Sequence, residues 1–177
     1  MIKDIKYKNP GLSSTTRYEK IHTIIFDIRK NAEYLVAQEI INLVKENNKK
    51  NKKTVLGLAT GSSPIGVYKT LIQLHKEEKV SFKNVVTFNL DEYYGISKNH
   101  KESYHSFMYE KLFKHIDVKR ENIHIPNGEL EKKNIDGFCT DYEKMIKSFG
   151  GIDIQILGIG VNGHIGFNEP GSNHNSL

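Results

Sequence analysis

Three apolar runs of strand length each break off into a polar, glycine-marked loop, and this repeated transition constrains the fold more than anything else in the chain. Thr54-Val55-Leu56-Gly57-Leu58-Ala59 runs into Thr60-Gly61-Ser62-Ser63-Pro64, and Val85-Val86-Thr87-Phe88-Asn89 runs into Leu90-Asp91-Glu92. Ile152-Asp153-Ile154-Gln155-Ile156-Leu157 runs into a loop that carries Gly158, Gly160, Asn162, Gly163, His164, Gly166 and Glu169. Runs without polar alternation are what strands covered on both faces look like. Apolar residues at helical spacing predict helices over 31–49, 64–79, 103–115 and 135–148, and further strands are predicted over 21–26 and 122–126. Strands alternating with helices of this length imply βαβ crossovers. The expected fold class is therefore α/β: a three-layer α/β/α arrangement with a mostly parallel, Rossmann-like sheet. Residues 1–19 lack periodicity and read as an N-terminal tail, leaving 20–177 as one domain. No helix follows the last strand, so the sheet reads as truncated at its C-terminus.

Composition limits the classes of function. The formal net charge of +5 comes from 26 basic and 21 acidic residues, and the only arginines are Arg17, Arg29 and Arg120. A nucleic-acid surface interleaves arginine with aromatics on one face. The lysine runs at 3–8 and 45–53 read instead as solvated charge, and no nucleic-acid partner is expected. The single Cys139 excludes an internal disulfide and reads as a packing residue of a protein in a reducing compartment. No apolar run approaches the roughly 20 residues of a membrane span, and no secretory h-region is present. A cytoplasmic protein with no membrane partner is expected. The histidines show no metal-ligand spacing, so no metal is expected. The sequence leaves self-association into a homo-oligomer open.

Each loop offers its own chemistry. Thr60, Gly61, Ser62 and Ser63 precede a helix that starts near Pro64, and bare N–H groups with hydroxyls at such a point suit an anion. They equally suit a plain helix cap. Asp91 and Glu92 lie at a strand's carboxyl end, where open α/β sheets bind ligands. Adjacent carboxylates cannot face one point, so one of the two is expected to be structural. A carboxylate acting on a carbon-bound proton needs a poorly solvated pocket that raises its pKa. A histidine side chain can move protons near neutral pH, and His164 would need a partner to fix its tautomer, a part open to Glu169 or Asp91.

These segments, together with Glu102-Ser103-Tyr104-His105-Ser106-Phe107-Met108 and Gly158-Ile159-Gly160-Val161-Asn162-Gly163-His164-Ile165-Gly166-Phe167-Asn168-Glu169-Pro170, resemble glucosamine-6-phosphate deaminases in order and spacing over about residues 21–177. The resemblance implies a cofactor-free reaction on a small phosphorylated amino sugar: glucosamine 6-phosphate and water give fructose 6-phosphate and ammonia. It implies that His164 opens the pyranose ring, that Asn162 and Glu169 orient His164, and that Asp91 carries the C2 proton to C1 through an enolamine. Thr60 to Ser63 would hold the phosphate, with Glu92 and Gly163 also at the substrate. Asn162 stands where several family members carry Asp; an amide accepts a hydrogen bond from imidazole but stabilises imidazolium less well. The family pattern runs on for about another half of this length, with a lid and a basic phosphate ligand, so weak or no turnover is expected from 177 residues alone. Two alternatives carry different chemistry. One is a 6-phosphogluconolactonase-like hydrolase, against which the Asp-Glu-Tyr and Phe-Asn-Glu-Pro segments argue. The other is a non-catalytic sugar-phosphate sensor, which would usually bring a helix-turn-helix that residues 1–20 do not display.

Overall fold

The computed structural model describes residues 23–173. Four parallel strands form one sheet in the order β3-β2-β1-β4, with β1 at Thr54–Leu58, β2 at Val85–Asn89, β3 at Ile123–His124 and β4 at Ile154–Gln155. Helices α1 (Arg29–Lys49), α2 (Ile65–Glu78), α3 (Tyr104–Lys111) and α4 (Ile135–Ser148) complete the fold. β1 and β2 are buried along their whole length, as their unbroken apolar character predicts.

Side chains leaving the sheet on alternate faces meet different helices. Leu56, Leu58 and Val85 join Ala37, Ile40, Ile41 and Val44 of α1, Val67, Tyr68, Leu71 and Leu74 of α2, and Met108 of α3 in one core. Val55, Val86 and Phe88 face the other way, toward Tyr142, Met145, Ile146 and Phe149 of α4 and the turn that follows it. The three layers expected from the sequence are therefore present. Burying each large aliphatic chain contributes roughly 1.5–3 kcal/mol, and the α1–α2 side holds most of them.

The order of strands decides where a ligand can sit. β1 runs on to β2 on one side, and the chain returns past β3 to place β4 on β1's other side. The carboxyl ends of β2, β1 and β4 therefore lie side by side, along the edge at which open α/β sheets bind ligands.

Several local expectations need correction. Ile21 and His22 lie outside the described residues, and in 23–26 only Ile25 makes an isolated bridge. The helix expected over 103–115 breaks at Leu112, whose φ of −141° leaves the helical region, and resumes as a 3-10 turn at Phe113–His115. That break turns Leu112 and Phe113 into the core, where both are buried. The strand expected from Ile152 onward shrinks to two paired residues, and among the described residues β4 pairs only with β1. Leu157, Ile159 and Val161 beyond it are exposed. Cys139 is exposed on α4 rather than packed. No helix among the described residues is long and apolar enough to cross a membrane, and no group of three or more potential metal ligands occurs among them. The lysine run at 3–8 lies outside the described residues.

Candidate active site

The three loops that the sequence singles out converge. A cavity of about 400 Å³ is lined by Thr60 to Ser63 after β1, by Leu90 and Asp91 after β2, and by Gly158 to Val161, His164 and Gly166 after β4. A methyl group built on Gly166 would lie 3.5 Å from Asp91 Oδ2, so the His164 loop passes directly over the Asp91 carboxyl.

The loop after β1 forms because a buried strand meets a helix start. Pro64 occupies the cap position of α2 and its carbonyl accepts from Tyr68 N at 2.9 Å. A proline there costs no hydrogen bond. No backbone hydrogen bond among the described residues uses the N–H of Gly61, Ser62 or Ser63. Bare N–H groups at the positive end of a helix form an anion-binding arrangement.

The two adjacent carboxylates part company. Glu92 accepts hydrogen bonds from Tyr104 N and His105 N, both at 2.9 Å, and so caps the first turn of α3, while Ser103 Oγ accepts from Ser106 N at 3.0 Å. Glu92 is absent from the cavity lining; its carboxylate is engaged with helix N–H groups. Asp91 is left facing the cavity. Burial first, and the negative charge of Glu92 second, push its carboxyl up from 3.8 to about 6. A carboxylate destabilised in this way is a better proton acceptor near neutral pH.

His164 is held by its own loop. Its Nδ1 lies 2.6 Å from Asn162 Oδ1, and Asn162 Nδ2 donates to Glu169 Oε2 at 2.8 Å. A carboxylate only accepts, so the amide must present its NH₂ to Glu169 and its oxygen to the imidazole. An amide oxygen also only accepts, so Nδ1 carries the proton, and in the neutral imidazole Nε2 is the nitrogen with the free lone pair. Glu169 therefore reaches His164 mainly through Asn162, its direct Oε1–Nδ1 separation being 3.6 Å. Gly160 permits this packing: a Cβ there would fall 2.1 Å from His164 Cε1. Gly163 makes the turn, its N–H bonding Gly160 O at 3.0 Å, and does not line the cavity.

The sequence reading passes over Tyr104 as a site residue. It lines the cavity, and its hydroxyl lies close enough to the Thr60 and Tyr93 side chains to interact with both. Burial, then the contact with Tyr93, pushes its phenol up. Its ring stacks on Phe167, with centroids 6.1 Å apart, and lies 4.7 Å from Tyr93. One side chain thus touches all three loops. Its position in a helical segment, four residues before the buried Met108, hides this in the sequence.

The chain is similar to several known proteins. The chain is 58% identical over 146 residues to a glucosamine-6-phosphate deaminase of Borrelia garinii subsp. bavariensis, covering 82% of this chain and 53% of that protein. It is 53% identical over 135 residues to one of Thermoanaerobacter sp., covering 76% and 53%. The chain therefore spans about half the length of the curated relatives it matches. Among solved structures, a monomeric glucosamine-6-phosphate deaminase superposes with a TM-score of 0.77 at 44% identity, covering 84% of this chain and 59% of the other. A 6-phosphogluconolactonase of Thermotoga maritima superposes at 0.62 with 26% identity, covering 75% and 58%. The family model described as glucosamine-6-phosphate isomerases/6-phosphogluconolactonase matches residues 29–171, which takes in every lining residue of the cavity, and the chain belongs to that family.

Proposed function

We propose that the chain carries the acid–base half of a glucosamine-6-phosphate deaminase site. The observation that supports this best is that Asp91 and His164 line one cavity together with the Thr60–Ser63 loop. The N–H groups of that loop hold the phosphate. His164 Nε2 takes the proton of the anomeric hydroxyl as the ring C–O bond opens, and the ring oxygen gains a proton. Asn162 and Glu169 keep the imidazole in the tautomer this step requires. Asp91 removes the C2 proton of the open-chain sugar, forming an enolamine, and returns a proton to C1. Water then adds to the resulting C2 imine and ammonia leaves. No electrons are exchanged with any other group, so acid–base residues suffice. The substrate is a soluble metabolite, in keeping with a cytoplasmic enzyme.

A base whose pKa is about 6 is ionised above that pH, so kcat/KM falls as the pH drops through about 6. The test is ammonia release from glucosamine 6-phosphate at high protein concentration, beside hydrolysis of 6-phosphogluconolactone. Ammonia from the wild type that disappears in Asp91→Asn supports the reading. Lactone hydrolysis without ammonia moves the chain to the lactonase side of its family, and ammonia that survives Asp91→Asn removes the proposed proton carrier.

A further inference from the structure

We propose that Arg29, outside the cavity, is a positioning residue that turns the phosphate-holding face of the Thr60–Ser63 loop toward its anion. This rests on the phosphate role given to that loop above. Arg29 opens α1, and its Nη2 donates to the carbonyl oxygen of Ser62 at 3.0 Å. Its Nε donates to Glu33 Oε1, one helical turn on, at 2.7 Å. The guanidinium is planar with donors in a fixed fork, so gripping Glu33 with one edge fixes where the other edge meets the loop.

The consequence follows from the peptide unit. In a trans peptide the C=O and the following N–H point in opposite directions, and no cis peptide occurs among the described residues. Arg29 draws the Ser62 carbonyl to the α1 side of the loop. The N–H of Ser63 is thereby turned away from α1, in a stretch where Ser62 and Ser63 both line the cavity. A rotation of this one peptide plane would replace a donor by a carbonyl dipole of the wrong sign facing the phosphate. Glu33 holds the fork from within a niche. Its carboxylate sits where a Cβ of Gly66 would be, 1.9 Å from Glu33 Cδ, so a glycine in the first turn of α2 leaves the space the clamp needs. Glu33 is only 18% exposed, against 67% for Arg29, which makes it the fixed member of the pair.

Charge and orientation predict different outcomes. Removing Arg29 takes away a positive charge, and neutralising Glu33 takes away a negative one. If the pair acted by its field alone, Arg29→Ala would weaken anion binding and Glu33→Gln would tighten it. Orientation requires both to weaken it, by about 5-fold each, the worth of one hydrogen bond. The experiment is a titration of the 177-residue chain with inorganic phosphate, followed by the amide signals of Gly61, Ser62 and Ser63 in ¹⁵N-labelled protein. The wild type is expected to shift the Ser63 amide downfield. Arg29→Ala and Glu33→Gln are expected to lose affinity and most of that shift while keeping the remaining spectrum, and Arg29→Lys to recover part of it. Tighter binding in Glu33→Gln, or unchanged affinity in both variants, overturns the role of Arg29 and leaves the loop's own role intact. A silent wild type overturns the loop's phosphate role and this proposal with it.

Discussion

Asp91→Asn should make the protein more stable at alkaline pH even as it removes the proposed proton carrier. The Asp91 carboxyl is pushed up from 3.8 to about 6 by burial and by Glu92, so the native state holds its proton more tightly than the unfolded chain does. Below about pH 4 both states are protonated and there is no penalty. Between about 4 and 6 the unfolded chain ionises first, and stability falls as pH rises. Above about 6 the full penalty stands. A pKa rise of that size corresponds to about 3 kcal/mol at most. The group is only partly buried and solvent screens it, so about 1–1.5 kcal/mol is expected. Asparagine keeps the shape and never ionises. Urea unfolding of both proteins should show the variant ahead by about 1–1.5 kcal/mol at pH 8, or about 3–5 °C in Tm, with the gap closing by pH 4. A variant no more stable than wild type at pH 8, or a gap independent of pH, refutes the reasoning.

Other substitutions test separate parts of the structure. Gly160→Ala puts a methyl 2.1 Å from His164 Cε1; ammonia release should fall by about 100-fold from a displaced base, with Tm little changed. Tyr142→Phe removes a hydroxyl shared between Asn89 O at 2.9 Å and His124 O at 3.0 Å, and urea unfolding should show a loss of about 1–2 kcal/mol. Leu71→Ala empties a fully buried position between α2 and the sheet and should cost about 2–5 kcal/mol by the same measurement.

Local chemistry wrote much of the fold into the chain. The unbroken apolar runs at 54–58 and 85–89 became fully buried strands, and α4 falls on the predicted 135–148, because periodicity reports the faces a segment must cover. The chemistry of each loop was legible for a similar reason: Asp91, His164 and the Thr60–Ser63 hydroxyls stand in short polar stretches where no core demand explains them. Pairing is a different matter. Among the described residues β4 pairs only with β1, and a long apolar run forms only two ladder residues there. Which of Asp91 and Glu92 would face the cavity depended on where α3 begins, twelve residues on, since its bare N–H groups claimed Glu92. Tyr104 and Arg29 act across loops distant in sequence, and spacing along a chain carries no information about such meetings. Sequence alone determined the elements and the chemical groups they bear; the sheet order decided which of those groups share one crevice, because only packing brings the ends of separate strands together.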